Sequence, residues 1–299
     1  MNIFIFTDKD LDGAGCVLVT KWLESPGTKV KFVSVNEQDF RTIFTKWWAS
    51  PDAEDYDKVM VCDLNIADSH VDVLDHSKIT IVDHHVSHGA VKPLYKHATL
   101  LVNDHAGSST KLLYATYVAA NKTSALTSQQ YELINFINDY DSYTLRYPES
   151  LDLNTVFFSL QGDRVKLFIE RFIDGYKGFD DNEKNIIKFH KLKVQQTINE
   201  LKVFKATIPL DGESRVVCSA FADYSINDVA QHLINTYGAE IAIVINLKNK
   251  TVSFRRSSSS NYDLSILAKK LANGAGHKRA AGGVITDQLL AFSNIFKPI

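Results

Sequence analysis

Three carboxylates stand at every second position in Thr7-Asp8-Lys9-Asp10-Leu11-Asp12-Gly13, just where the first apolar run of the chain ends. Two later apolar runs end in a similar way, residues 58–62 in Asp63 and residues 78–82 in Asp83, His84 and His85. Gathered in space, so many acidic groups would raise one another's pKa unless positive charge lay among them, and a pair of divalent cations is the simplest source. Mostly oxygen donors, one or two imidazoles and no thiolate suit Mn2+ first, with Mg2+, Co2+ or Fe2+ compatible, and argue against a structural zinc site. Two such ions, about 3.5–4 Å apart and sharing a carboxylate, activate water and stabilise a phosphoryl oxygen. The expected chemistry is phosphoester hydrolysis. Taken singly, the Asp-rich turn, Asp63 or the Asp-His-His triplet reads as a solvated turn or a helix cap. Their shared position at successive strand ends is what points to a metal site.

The elements that must position these residues follow from hydrophobic periodicity. Short β-rich runs at residues 3–6, 29–35, 58–63, 78–83 and 98–103 alternate with helical patterns, which predicts a parallel sheet covered on both faces. In such sheets ligands bind at the carboxyl ends of the strands. Residues 108–203 are mostly helical in pattern and close in one long polar-faced helix; strands follow, with a hairpin turn at Lys248-Asn249-Lys250. The expected fold is α/β: an N-terminal parallel-sheet domain over residues 1–185, a linker helix over 186–205, and a smaller α/β domain over 206–299.

Composition limits the partners. Thirty-three Lys plus Arg against 35 Asp plus Glu leave a formal net charge of -2, so there is no global basic field to hold long nucleic acid. An anionic substrate must be gripped locally. Cys16, Cys62 and Cys218 have no paired spacing, which fits a reducing compartment. The chain shows neither a basic leader nor an apolar run of about 18–20 residues, and a cytoplasmic protein with no membrane partner is expected.

Two C-terminal stretches could supply the grip. Gly274-Ala275-Gly276-His277-Lys278-Arg279-Ala280-Ala281-Gly282-Gly283 offers backbone amides and a histidine in a close-approach loop, although a plain glycine-rich turn is the competing reading. Arg255 and Arg256 end a strand before a serine run, and arginine suits bidentate phosphate contact. Alternation sends the two to opposite faces, and the pattern leaves open which one meets substrate. His105, Ser108 and Ser109 follow a strand and open a helix, either as caps or as site residues. His88 reads as a surface group, and Trp47 and Trp48 as core or interface residues.

Asp8-Lys9-Asp10-Leu11-Asp12-Gly13, Val61-Cys62-Asp63-Leu64-Asn65, Val82-Asp83-His84-His85, Ile137-Asn138-Asp139-Tyr140-Asp141 and the glycine-histidine stretch together resemble, in order and across nearly the whole chain, the motifs of DHH/DHHA1 phosphoesterases. That family includes RecJ-type exonucleases, nanoRNases, phosphoadenosine phosphate phosphatases and cyclic-di-AMP phosphodiesterases. The resemblance implies a dinuclear, usually manganese, site. Asp8 and Asp10 would bind the first ion and Asp12 the second. Asp63 would bridge both, His84 would bind the second, and His85 would face the substrate phosphate. Many members place a histidine near the position of Asp8, so this chain resembles the Asp-x-Asp-x-Asp form of RecJ-type enzymes. In the fourth motif Asp139 is the expected ligand, with Asp141 as the alternative. Gly274, Gly276, His277 and one of Arg255 and Arg256 would hold the substrate.

The implied activity is hydrolysis of very short oligonucleotides to mononucleotides, acting from an end held between domains. Alternatives are phosphoadenosine phosphate phosphatase or cyclic or linear dinucleotide phosphodiesterase activity, and, from another class, a nucleotide-sequestering protein. A homodimer is compatible with this reading.

Overall fold

A computed structural model describes residues 1–85, 91–103, 105–120, 126–276 and 278–298. The chain divides into two compact units, Met1–Ile187 and Lys188–Ile299.

The first unit is built on five strands: β1 (Asn2–Thr7), β2 (Lys29–Ser34), β3 (Lys58–Cys62), β4 (Ile79–Asp83) and β5 (Thr99–Val102). All pair in parallel, in the order β2-β1-β3-β4-β5. β4 is buried at every position and the central strand, β3, at all but its first, as expected of strands covered on both faces. On one face α1 (Leu11–Leu23) joins residues of four later helices, α4 (Ser109–Ala119), α5 (Ser128–Asp141), α6 (Pro148–Ser159) and α7 (Arg164–Phe172), in one apolar core. On the other, Phe40 and Phe44 of α2 (Glu37–Trp48) pack with Phe6, Val59 and Val61. Trp47 stacks on Phe4, ring centroids 4.2 Å apart, so it belongs to this core. A short α3 (Val71–Leu74) lies between β3 and β4.

Glycine decides how closely α1 approaches its neighbours. A Cβ on Gly15 would lie 2.1 Å from Thr110 Oγ1 and 2.9 Å from Ile137 Cδ1. Only glycine lets α1 meet α4 and α5 at this distance, and that approach brings the acidic turn before α1 to the first turn of α4.

The long helix, α8 (Asp181–Asn199), begins earlier and ends earlier than the linker expected over 186–205. Its start is set by a reciprocal cap: Glu183 N donates to Asp180 Oδ1 (2.8 Å) and Asp180 N donates to Glu183 Oε2 (2.8 Å). The border between the units falls inside this helix.

The second unit is a seven-stranded mixed sheet formed by β6 (Val203–Leu210), β7 (Glu213–Phe221), β8 (Ile241–Asn246), β9 (Thr251–Arg256), β10 (Ala275–Gly276), β11 (Ala280–Val284) and β12 (Lys297–Pro298), in the order β10-β11-β9-β8-β7-β6-β12. Among the described residues of this sheet only β7 and β8 pair in parallel, with α9 (Ile226–Tyr237) in a cluster with residues of both. A second cluster holds α10 (Leu264–Ala272) and Leu289 of α11 (Asp287–Ser293). The hairpin expected at residues 248–250 joins β8 to β9, with Lys250 in the left-handed region at φ 55°.

Candidate active site

The acidic groups of the first unit collect where β1, β3 and β4 leave the sheet. Asp10 caps α1, accepting from Gly13 N at 2.9 Å. Two residues on, Asp12 is buried and turned toward α4, where its two oxygens accept from Ser109 N (2.6 Å) and Thr110 N (2.9 Å). Asp63, at the end of β3, is buried in the left-handed region at φ 58°, a conformation rarely held by a residue other than glycine and concentrated at functional sites. Its Oδ1 accepts from Ser109 Oγ at 3.0 Å.

His84 stands at the centre. Its Nε2 lies 3.2 Å from Asp141 Oδ2, 3.5 Å from Asp63 Oδ1 and 3.9 Å from Asp12 Oδ2. Asp141 Oδ2 is sealed from solvent and makes no hydrogen bond: close as it is, the histidine nitrogen is not aligned to donate to it. A ring nitrogen and a carboxylate oxygen that converge without a hydrogen bond are placed as two ligands facing one cation would be. Potential ligand atoms of Asp12, His84 and Asp141 all lie within 4.8 Å of one another, as do those of Asp63, His84 and His85. His85 is held from behind by Asp83, whose Oδ1 accepts from His85 N (2.8 Å) and pairs with Nδ1 (2.6 Å).

The electrostatics fit divalent cations. Burial first, then Asp8 and Asp12, pushes Asp10 up to about 7. Burial and acidic neighbours, Asp12 foremost, raise Asp63 and Asp141 well above the carboxylate range. Burial also raises Asp8, with Glu37 adding to it. His84 is lowered by burial, against the pull of Asp12; for His85 burial acts in the same direction, but the Asp83 carboxylate outweighs it and the group is raised. Without cations the cluster can persist only by retaining protons.

This has a measurable consequence. A carboxyl group whose folded pKa exceeds its unfolded value stabilises the fold fully below the unfolded pKa, and that contribution is lost as pH rises through the folded one. Cation-free protein is therefore expected to lose thermal stability between about pH 4, the unfolded carboxylate value, and about pH 7, the raised value of Asp10. Added Mn2+ should raise Tm more at pH 8 than at pH 5, because protons compete for the same oxygens. A Tm gain that is equal at both pH values would remove the cluster as the binding site.

The structure brings together Asp12, Asp63, His84 and His85 of the expected set, with Asp8 and Asp10 in electrostatic reach rather than in either three-residue group. It does not bring Asp139. That carboxylate turns into its own helix end and accepts from Thr144 Oγ1 (2.6 Å), Arg146 N (3.0 Å), Tyr147 N (3.1 Å) and Ser150 Oγ (2.7 Å). These bonds hold its pKa low despite burial. Asp141, two residues on and well around the helix, takes the place at His84 that was expected of Asp139. Glu37 was not anticipated. It opens α2 beyond the end of β2, accepts from Asn65 N at 3.2 Å and acts electrostatically on both Asp8 and His85. Its position after a strand end was the signal.

In the second unit, the glycine-histidine stretch contributes β10 and β11, which pair antiparallel, while His277 lies outside the described residues, as does His88. Gly274 and Gly276, expected to meet substrate, have a packing reason of their own: a Cβ on Gly274 would lie 1.9 Å from Gly282 O, and Gly276 has φ 143°. The adjacent arginines diverge. Arg255 Nη2 donates to Asn227 of α9 at 2.8 Å, whereas Arg256 Nε donates to Lys278 O at 3.0 Å, beside Arg279.

Comparison with known proteins agrees with the fold. Residues 2–138 match the model of the DHH family, N-terminal domain, and residues 216–297 that of the DHHA1 domain. The chain belongs to the DHH/DHHA1 phosphoesterases. Oligoribonuclease NrnB of Bacillus subtilis (strain 168) is 23% identical over 305 residues, covering 95% of this chain and 73% of NrnB. Among solved structures, the pGpG-specific phosphodiesterase PggH from Vibrio cholerae superposes with a TM-score of 0.58 at 13% identity, covering 98% of this chain and 96% of PggH. A manganese-bound RecJ exonuclease gives 0.53 at 12% identity, covering 98% and 88%. At such identities the structural likenesses speak for the fold.

Proposed function

We propose that this protein is a divalent-metal-dependent phosphodiesterase that hydrolyses very short oligonucleotides to mononucleotides, with Mn2+ as its preferred ion. The observation that carries the proposal is the convergence of Asp12, Asp63, His84 and Asp141, with a buried and unsatisfied carboxylate oxygen among them. Similarity to NrnB supports the substrate class. Asp12, His84 and Asp141 would hold one cation, and Asp8 and Asp10 the other, with Asp63 between them. Bound there, the ions supply the Lewis acidity that phosphoester hydrolysis requires near neutral pH.

The remaining steps belong to the protein's own groups. Asp83 fixes the His85 ring through Nδ1, and so orients a side chain whose other nitrogen would donate to a phosphoryl oxygen and stabilise charge that grows in the transition state. In the second unit Arg256 is the better placed of the two arginines for a substrate phosphate. It lies beside the glycine-histidine turn with Lys278 and Arg279, while Arg255 is engaged with α9. A near-neutral chain with a local cationic cluster suits a substrate carrying few phosphates. No helix among the described residues is long and apolar enough to cross a membrane, and we place the protein in the cytoplasm.

The test is a substrate panel. With Mn2+, the purified protein is expected to cleave 5'-labelled RNAs of two to four nucleotides in preference to those approaching twenty-four, and to act weakly on phosphoadenosine phosphate and cyclic dinucleotides. Preference for either of the latter would move the assignment to a phosphatase or a dinucleotide phosphodiesterase. Tight binding of every substrate without turnover would establish sequestration instead.

A further inference from the structure

We infer that Ser109 is a positioning residue for Asp63, orienting the carboxylate that the proposed function sets between two cations; the inference rests on that reading. Four carboxylates, Asp12, Asp10, Asp141 and Asp83, press on Asp63, although Asp10 also shares a hydrogen bond with it and His84 Nε2 lies 3.5 Å from its Oδ1. Its backbone is held in the left-handed region, with N bonded to Val82 O at 2.9 Å. Repulsion from several sides and an unusual backbone do not by themselves choose one side-chain direction. A donor must.

Ser109 provides it. Its Oγ donates to Asp63 Oδ1 at 3.0 Å, while its own backbone N donates to Asp12 Oδ2 at 2.6 Å, so one residue of α4 grips two carboxylates, one just past the end of β3 and one in the first turn of α1. The side chain has no duty to its helix. The cap of α4 is the preceding residue, Ser108, whose Oγ accepts from Lys111 N at 3.1 Å. At the first helical position alanine would serve the backbone as well as serine, yet a hydroxyl is buried there with no solvent exposure. The two consecutive serines thus divide their work, Ser108 closing the helix and Ser109 fixing the site. A buried hydroxyl that merely satisfies a buried acid also exists in this unit: Ser150 Oγ donates to Asp139 Oδ2 at 2.7 Å, away from the cluster. That pair is the control.

The experiment measures Mn2+ binding to cation-stripped full-length protein by electron paramagnetic resonance of free Mn2+, with Tm recorded alongside. Ser109→Ala is expected to weaken Mn2+ binding by about tenfold or more, the usual effect of removing a partner that orients a metal ligand. Its activity should fall at low Mn2+ and recover with excess ion. Ser150→Ala should lower Tm without changing Mn2+ affinity. Binding by Ser109→Ala within about twofold of the parent would overturn the inference, and so would equal weakening in both variants, since that would report general destabilisation. Absence of Mn2+ binding by the parent would instead remove the metal-site reading beneath it.

Discussion

Replacing Asp63 with alanine is expected to lower Mn2+-supported hydrolysis by about a thousandfold or more, well beyond the 10–100-fold typical of residues that only orient a metal ligand. Its carboxylate stands within 3.5 Å of His84 and in a hydrogen bond with Ser109, and it interacts with Asp10, Asp12 and Asp141. Alanine also removes a buried group whose pKa is strongly raised, so the cation-free variant should be no less stable than the parent at pH 8. The variant should bind fewer than two Mn2+ ions per chain. Activity within about tenfold of the parent would show that Asp63 does not link two ions.

The second large effect separates two neighbours. Asp141→Asn is expected to reduce turnover by at least about a hundredfold while leaving the cation-free Tm unchanged. Burial, and after it the neighbouring carboxylates, raise this carboxyl well above its ordinary range and so favour its neutral form in the cation-free protein, the form an amide imitates. Asp139→Asn should do the opposite. It disturbs an acceptor of four hydrogen bonds in a buried place, which costs on the order of 2–4 kcal/mol, but it should leave the number of bound Mn2+ ions per chain as it is. Reversal of these two outcomes would restore Asp139 as the ligand.

That pair also marks the limit of what the sequence conveys. Strand ends were readable because apolar runs stop abruptly at Asp8, Asp63 and Asp83, and a parallel sheet places such ends together whatever the details of packing. Asp139 and Asp141 are carried by a helix, where two residues apart means opposite directions and only tertiary packing selects between them. The selection depends on Thr144, Arg146, Tyr147 and Ser150 folding back over Asp139, an interaction with no periodic signature. Arg255 and Arg256 presented the mirror case: strand alternation correctly set them apart, but the partners that distinguish them, Asn227 and Lys278, come from distant elements. Glu37 was legible by the same strand-end rule and lay outside the motifs. The early start of α8 was also written in Asp180 and Glu183, as a capping box hidden in a run of charge.

The border inside α8 bears on any attempt to study the halves separately. Severing the chain after Ile187 would leave seven residues of a 19-residue helix on one piece and twelve on the other. Helices shorter than roughly 12–15 residues are marginal without tertiary support, so each fragment would end in a frayed tail. A protease given access to this region would yield products that misreport the behaviour of both units. A separately expressed second unit should therefore begin at Asp180, carrying the whole helix with its cap.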